Sequence, residues 1–378
     1  MNENRKAAPS NASGQQASLL DGWPALLVAV AVIGAAVYAF SPRSQPAFPE
    51  TRVDAERVLA NGIAQQGERI IAVGEQGQVL VADAVDGPWT SAKVEPQRGS
   101  TLTRVVFPSK DLAIAVGHDG WILRSTDRGQ SWKEVAFAIQ TDPLLGVAGP
   151  FDGRLFAYGA FGLLMVSDDQ GQTWQKRDLN VEEAAGSAPV EADPFADPFA
   201  AAGDDPFANF DASAVGGSGH LNAMTQAADG SLILVGERGA LLKSIDKGDN
   251  WKRLPEVYAG SFFGVLALPS KTLLAFGMRG NVFRSTDHGA SWTAAQVPEP
   301  NSLFGGVVDA KGNVVLAGAG NTVLRSTDDG ATFELAAPLG RIGLADLIAL
   351  PTGNWLTAGD GGIRLVEPSA ATPTGAAS

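Results

Sequence analysis

A short sequence frame recurs seven times along this chain of 378 residues, and no other feature limits the possible folds as much. Each copy places a glycine at the start of a Gly-x-x-Gly-like loop between two apolar runs. These first glycines are Gly74, Gly117, Gly159, Gly236, Gly277, Gly318 and Gly359. Their spacings are 43, 42, 77, 41, 41 and 41 residues. Five of the six gaps therefore share one period, and the gap of 77 residues contains an extra segment.

The period and the residue pattern predict the fold class. A repeat in the low forties accommodates four short strands with their turns, which is the unit of a propeller blade. Apolar and polar residues alternate within the copies, as in residues 121–125, and glycines interrupt the runs where a helix would continue. Helical repeats of similar length are therefore disfavoured. The sequence predicts an all-β, seven-bladed β-propeller over residues 51–367, closed into one domain.

Most copies end in the motif S-x-D-x-G followed three residues later by Trp or Phe. An Asp side chain can accept hydrogen bonds from amides further along a turn, glycine adopts positive φ at little cost, and the aromatic ring can pack between sheets. The motif aspartates are Asp127, Asp169, Asp246, Asp287 and Asp328. Because five copies of one catalytic carboxylate would serve no single reaction centre, we interpret them as structural Asp-box turn formers.

Composition excludes several classes of function. The formal net charge of −13 argues against nucleic acid as a partner, since such proteins present a basic stripe. The chain contains no cysteine, which removes disulfides, thiolate catalysis and cysteine zinc sites. The three histidines fall in three different copies and do not have metal-ligand spacing. We therefore expect no metal and no cofactor.

The N-terminus contains an uncharged apolar run at residues 23–40. A bilayer core takes about 20 helical residues, so this run is just long enough to cross it. It follows a polar tail at residues 1–22, which is long for a signal peptide, and precedes a linker at residues 41–50. We expect an uncleaved transmembrane signal anchor in the inner membrane with the propeller in the periplasm; cleavage near Ala36 is the alternative.

The extra segment, residues 181–219, lies between the third and fourth copies. It carries eight acidic residues and no Lys or Arg, and is rich in Ala, Pro and Gly, so we expect it to be disordered. It is either a solvated acidic loop or a multivalent linear motif whose phenylalanines dock into a partner. The motif phenylalanines, three of them in the tripeptide Asp-Pro-Phe, are Phe195, Phe199, Phe207 and Phe210.

The Gly-x-x-Gly loops keep a constant frame and vary at their two middle positions, as a repeat scaffold does when it carries a binding surface. Arg238 and Arg279 occupy such positions in consecutive copies, and His118 occupies one in the second copy. In a four-stranded blade these loops share a face with the extra segment, whereas the Asp-boxes lie on the other face. We predict a partner-binding surface on the Gly-x-x-Gly face, with ordinary solvated charge as the alternative interpretation.

The first strands contain a second anomaly. Thirteen residues before the loop glycines the chain has small residues in four copies but Asn61, Arg104 and Asp346 in three copies that become adjacent when the ring closes. A structural ion pair between Arg104 and Asp346 is expected near the axis, because buried charges are usually paired. A polar ligand or peptide pocket at the channel mouth is the alternative.

Ring closure must also be explained, because the seventh copy stops at Glu367 without an outer strand of its own. The residues after it, 368–378, are rich in Pro and Ala and are expected to form a disordered tail. Residues 50–58 precede the first inner strand, and a strand from this segment would remove the exposed sheet edge. We therefore expect the ring to close with a strand from the N-terminal side.

The repeats resemble those of the photosystem II stability and assembly factors, seven-bladed propellers with BNR or Asp-box repeats and many relatives in non-photosynthetic bacteria. The resemblance covers residues 51–367 and rests on the 41-residue period, the Gly-Glu-Arg-Gly loop at 236–239 and the membrane-proximal N-terminus. In photosynthetic members an arginine-rich surface binds a membrane-protein precursor, and the matching positions would be Arg238 and Arg279. The acidic insertion departs from the family pattern.

The resemblance implies a membrane-anchored, non-catalytic and monomeric propeller that stabilises or helps assemble a membrane-protein complex, which in a non-phototroph could be a transport complex. The alternative is a sialidase-like Asp-box glycosidase or a carbohydrate-binding propeller. Such an enzyme needs an arginine cluster, a tyrosine nucleophile and a carboxylate partner. Outside the anchor the chain offers Tyr158 and Tyr258, and neither forms an evident pair with a base in the sequence.

Overall fold

The computed structural model describes residues 23–41, 53–139, 141–182 and 219–368. It separates into two units, residues 1–51 and 52–378. Within the first unit, helix α1 (Trp23–Phe40) is long and apolar enough to cross a membrane, and none of its residues is buried. The helix contains no charged residue.

Within the described part of the second unit, 29 strands form seven sheets. Blade 1 contains β1 (Ala60–Gln66), β2 (Arg69–Gly74), β3 (Val79–Ala82) and β4 (Thr90–Ser91). Blade 2 contains β5 (Lys93–Glu95), β6 (Leu102–Val106), β7 (Ala113–Gly117), β8 (Ile122–Ser125) and β9 (Ser131–Ala136), and blade 3 contains β10 (Leu144–Phe151), β11 (Arg154–Gly159), β12 (Leu164–Ser167) and β13 (Gln175–Arg177). Blade 4 contains β14 (Val181–Glu182), β15 (Leu221–Gln226), β16 (Leu232–Gly236), β17 (Leu241–Ser244) and β18 (Trp251–Arg253). Blade 5 contains β19 (Phe262–Ala267), β20 (Leu273–Gly277), β21 (Val282–Ser285) and β22 (Thr293–Ala294). Blade 6 contains β23 (Leu303–Val308), β24 (Val314–Gly318), β25 (Val323–Ser326) and β26 (Glu334–Leu335). Blade 7 contains β27 (Leu344–Ala349), β28 (Trp355–Gly359) and β29 (Gly362–Val366).

The sheets confirm the predicted seven-bladed, all-β propeller. Each sheet is an antiparallel meander whose innermost strand contacts the innermost strands of the neighbouring blades, and β1 contacts β27, so the ring is closed. In blades 2 and 4 the chain arriving from the previous blade adds a short parallel outer strand, β5 beside β9 and β14 beside β18. These additions join consecutive blades through backbone hydrogen bonds.

The expected closure by a strand from residues 50–58 is wrong for the part of that segment that the structure describes. Residues Ala55–Arg57 form a single 3-10 turn, closed by the Arg57 amide donating to the Asp54 carbonyl, and blade 7 has three strands. The turn packs beside the start of β29, where a Cβ on Gly362 would lie 2.4 Å from the Ala55 carbonyl oxygen. The segment covers one end of the blade instead of pairing along its edge.

The core lies between blades, and each interface holds an aromatic ring in a similar place. In six interfaces the ring comes from the residue that ends an Asp-box or its degraded copy: Trp89, Trp132, Trp174, Trp251, Trp292 and Phe333. Blade 7 has no such box. Its interface with blade 6 contains Trp355 of β28, a position at which the other blades have smaller residues. Trp355 therefore fills the space that the missing motif would leave.

Candidate functional site

One face of the propeller carries the Gly-x-x-Gly loops, between the second and third strands of each blade, and the connections between blades. We call it the GxxG face. The loop frame depends on a close backbone approach at its first glycine. A Cβ on Gly236 would lie 2.2 Å from the His220 carbonyl oxygen, and one on Gly277 would lie 2.2 Å from the Ser261 carbonyl oxygen. The His220 and Ser261 carbonyl oxygens accept hydrogen bonds from the amides of Glu237 and Met278, the residues that follow these glycines. Only glycine leaves room for this approach.

The third position of most of these loops has left-handed backbone geometry. Arg238 has a φ of 53° and Arg279 a φ of 56°, and both side chains are exposed. Phe161 takes the same conformation with a φ of 50°. His118, at the second position of its loop, is exposed as well, and its amide donates to the Thr101 carbonyl. The loop tips are thus held away from the sheets by a fixed backbone.

Each loop also contacts the beginning of the next blade. The Gly239 amide donates to the Gly260 carbonyl at 2.8 Å, just before β19, and the Arg279 amide donates to Ser302 Oγ at 3.2 Å, just before β23. Adjacent loops and connections therefore form a continuous rim, and the two arginine loops are separated by the connection between β18 and β19. The sequence predicted that Arg238 and Arg279 lie in adjacent blades. The structure adds the hydrogen bonds between blades that hold the loops of these two residues.

The acidic insertion leaves and re-enters at this face. Val181 and Glu182, which were expected to belong to the disordered insertion, form strand β14 instead. The chain leaves the sheet after β14, and at its return His220 donates its amide to Glu237 Oε2 at 3.0 Å, with His220 Nδ1 3.3 Å from Glu237 Oε1. The ring of His220 lies edge-to-face with Phe161 at a centroid distance of 5.2 Å. The proposed linear-motif residues lie outside the described residues: Phe195, Phe199, Phe207 and Phe210.

Every innermost strand has an irregular register near this face, where one extra residue interrupts its pairing with the second strand. The register at this bulge shows that Asn61 is not equivalent to Arg104 and Asp346, although the sequence spacing had aligned the three residues. Because a tight turn between β1 and β2 makes that hairpin one residue shorter, Gly62 occupies the register of Arg104 and Asp346, and Asn61 is the bulge residue. Asn61 Nδ2 donates to the Leu102 carbonyl at 3.0 Å, which joins blades 1 and 2.

Arg104 and Asp346 lie together near the axis, with Nη1 and Oδ2 2.6 Å apart. The same carboxylate accepts the Ile63 amide at 3.1 Å. The Asp346 charge raises the pKa of Arg104. The pair borders an axial cavity of about 400 Å³ that extends along the inner strands toward the opposite face, where Gln65 and Gln66 line it. The charges at the axis are thus matched to each other.

The opposite face, which we call the Asp-box face, carries the Asp-box turns. In each complete box the carboxylate accepts bonds from the Ser two residues earlier and from the residue four positions later; in one box Asp127 accepts Ser125 Oγ at 2.7 Å and the Ser131 amide at 3.0 Å. The Thr173 hydroxyl lowers the pKa of Asp169 to about 2. Asp246, Asp287 and Asp328 make the equivalent bonds. These local hydrogen bonds explain the repeated Asp-box carboxylates as structural parts of their turns.

The tyrosines required by the glycosidase alternative are not presented together. Tyr158 is buried, and this burial raises the pKa of its hydroxyl. Tyr258 is half-buried, and its ring stacks on Phe283. Within the described residues no group of three or more His, Asp or Glu side chains is arranged to hold a metal ion.

Comparison with known proteins bears on the fold. The BNR/Asp-box repeat family model matches residues 165–176. No curated protein shows a significant sequence match. Among solved structures, YCF48 bound to D1 peptide is 15% identical with a TM-score of 0.60, covering 86% of this chain and 100% of that one. YCF48 from Cyanidioschyzon merolae is 15% identical with a TM-score of 0.58, covering 84% and 97%.

An enzyme shares the same architecture. Virginiamycin B lyase from Staphylococcus aureus is 14% identical with a TM-score of 0.63, covering 84% of this chain and 97% of that one. At these identities the likeness concerns the fold alone. The chain is thus a seven-bladed β-propeller with BNR/Asp-box repeats, similar in fold to YCF48.

Proposed function

We propose that this chain is a membrane-anchored, non-catalytic propeller that binds a segment of a membrane-protein partner on its GxxG face and stabilises or helps assemble that partner's complex. Helix α1 is the anchor, and the propeller acts as a monomer in the periplasm or an equivalent space. A propeller of similar fold, YCF48, has been solved with a bound D1 peptide, which is a precedent for peptide binding by this architecture. In a non-phototroph the partner would be another membrane assembly, such as a transport complex.

The observation that carries the proposal is the presentation of Arg238 and Arg279. Both are exposed cations on left-handed backbone in neighbouring blades, and inter-blade bonds hold both loops. Rigid loops reduce the entropy lost on binding, and arginine can hold a carboxylate with two hydrogen bonds. An acidic segment of the partner fits this arrangement.

Two arginines of the Asp-box face join neighbouring blades. Arg154 binds Asp168 at 2.8 Å and Asp249 at 2.8 Å, joining blades 3 and 4. Arg284 binds Asp329 at 2.7 Å between blades 5 and 6. These two side chains hold neighbouring blades together.

The glycosidase alternative is less well supported by the geometry. A retaining sialidase-like reaction needs an exposed tyrosine whose hydroxyl is activated by a neighbouring base. The raised pKa of Tyr158 is the opposite of activation, and Tyr258 packs among aromatic rings. We therefore favour binding over catalysis.

Charge reversal with a matched control tests the proposal. The full-length variant Arg238→Glu/Arg279→Glu is compared with Lys247→Glu/Lys271→Glu, whose lysines are also exposed and also have positive φ but lie on the Asp-box face. Partner recovery is measured by crosslinking and affinity purification from membranes of cells that produce each form. We expect recovery to fall at least about tenfold for the arginine variant and to change little for the lysine variant, with both folds intact.

The reverse outcome would remove the assignment. If the lysine variant lost the partner and the arginine variant kept it, the binding face would be the Asp-box face. If both variants retained the partner at wild-type levels, the two arginines would be ordinary surface charge.

A further inference from the structure

Large apolar side chains exposed on the propeller are concentrated on the GxxG face. Four of the six in the described part of the propeller lie there: Leu59, Ile139, Phe161 and Leu339. Of the other two, Leu365 lies on the edge strand of blade 7, and Ile245 lies in an Asp-box turn. Single exposed apolar residues are common on protein surfaces, so the concentration on one face is the informative feature.

Phe161 is the most unusual member of this group. It is 69% exposed, and its φ of 50° is a conformation that bulky side chains rarely adopt. Four other blades have Gln76, Asp119, Arg238 and Arg279 at this position. A bulky side chain is strained at this positive φ although most of its ring remains exposed, and such strain is found where function requires it.

Phe161 is also connected to the arginine loops. Its ring contacts His220 at 5.2 Å, and His220 in turn is bound to Glu237, which precedes Arg238. The rim then continues through the bond between Gly239 and Gly260 to blade 5 and its Arg279 loop. The exposed ring of Phe161 in blade 3 thus adjoins the loops of blades 4 and 5 that carry Arg238 and Arg279.

We propose that Phe161 is the anchoring contact of the docking surface, and that the occupant is an extended segment of the partner in which one aromatic or large aliphatic residue lies near several acidic residues. The apolar residue packs on Phe161, and the acidic residues face Arg238 and Arg279. This inference rests on the proposed function and deepens it. Charge complementarity selects the acidic part, while burial of the exposed ring supplies a contact that salt does not screen.

The test uses the full-length chain in nanodiscs and three fluorescent peptides. GSFGDEDEG has both features, GSSGDEDEG lacks the aromatic residue, and GSFGKRKKG reverses the charge; each is also made in reverse order. Dissociation constants are measured by anisotropy for the wild type, for Phe161→Asn, for Arg238→Glu/Arg279→Glu and for Ile245→Asn. Asparagine tolerates positive φ, so Phe161→Asn removes the ring without adding strain, and Ile245, 86% exposed, is the control on the Asp-box face.

We expect the wild type to prefer the aromatic acidic peptide in one of its two orders. Phe161→Asn should weaken that peptide about tenfold, leave GSSGDEDEG nearly unchanged and keep or raise the melting temperature. Ile245→Asn should change no affinity. A purely structural role for Phe161 would instead lower the melting temperature without selecting between the peptides.

Three results would overturn the inference. If Phe161→Asn bound all peptides as the wild type does while Arg238→Glu/Arg279→Glu lost them, the anchor would be wrong and the proposed function would stand. If the arginine variant also bound normally, both would fail. If the wild type bound none of the peptides, an external segment would be excluded under these conditions, and recovery of binding on removing residues 183–218 would assign the surface to the chain's own insertion.

Discussion

Arg104 of blade 2 and Asp346 of blade 7 form an ion pair across the inner strand of blade 1, with 2.6 Å between Nη1 and Oδ2. The bridge passes Gly62 of β1, where a Cβ would lie only 3.1 Å from the Arg104 Cα. Because the Asp346 carboxylate also accepts the Ile63 amide, three blades meet at one buried group. Through these two contacts Asp346 links blade 7, the last blade of the ring, to blades 1 and 2.

Breaking this pair should destabilise the propeller. The side chain of Asp346 is 9% exposed and that of Arg104 is 26% exposed, so Asp346→Asn leaves a guanidinium largely without its counter-charge. We expect a loss of about 2–4 kcal/mol in the free energy of unfolding, measured by urea denaturation. Arg104→Met/Asp346→Asn should recover part of the loss, since no charge is left unpaired. Equal losses in the single and double variants would contradict this explanation.

Trp355 should contribute more to stability than its place in a strand of the incomplete blade suggests. It supplies the only aromatic ring of the described core between blades 6 and 7 and is 2% exposed. Trp355→Ala should cost about 3–5 kcal/mol of unfolding free energy by chemical denaturation. Trp355→Phe keeps most of the ring volume and should cost clearly less. Similar values for the two variants would mean that the interface does not depend on the ring.

The Asp-boxes should make the fold sensitive to acid. The Ser291 hydroxyl lowers the pKa of Asp287 to about 2, and Asp169 behaves similarly. A folded-state pKa below the unfolded value of about 4 means that the stabilisation is complete above pH 4 and is lost as the pH falls toward 2. The midpoint of urea unfolding should decline over this interval. Asp287→Asn should make the decline shallower, whereas Asp111→Asn at an exposed site should not.

Removal of the insertion should leave the propeller folded. The chain is tied to the blade 4 sheet on both sides of it, by β14 pairing with β18 and by the bond between His220 and Glu237. When residues 183–218 are replaced by a short Gly-Ser linker, the unfolding free energy should change by less than about 1 kcal/mol, because closure entropy varies only with the logarithm of loop length. Thermal unfolding followed by circular dichroism checks this. A larger loss would show that the insertion packs on the propeller.

The sequence predicted the features that depend on neighbouring residues. The Gly-x-x-Gly loops and the Asp-boxes each contain hydrogen bonds within a few positions of the chain: the Gly277 amide donates to the Asn281 carbonyl, and Asp287 accepts from the residues two before and four after it. Repetition then made the number of blades readable from the spacing. Helix α1 was predicted with the same bounds because apolar composition alone defines such a segment.

Tertiary structure decided the features that depend on which distant residues meet. A one-residue difference in a hairpin moved Asn61 out of register with Arg104, and Ala55–Arg57 form a turn within the segment where a closing strand was expected. Trp355 replaces a missing motif, and Phe161 lies beside His220, because the ring brings separate repeats into contact. Local hydrogen bonds are encoded in consecutive residues, whereas packing and charge pairing across blades depend on the geometry of the closed ring.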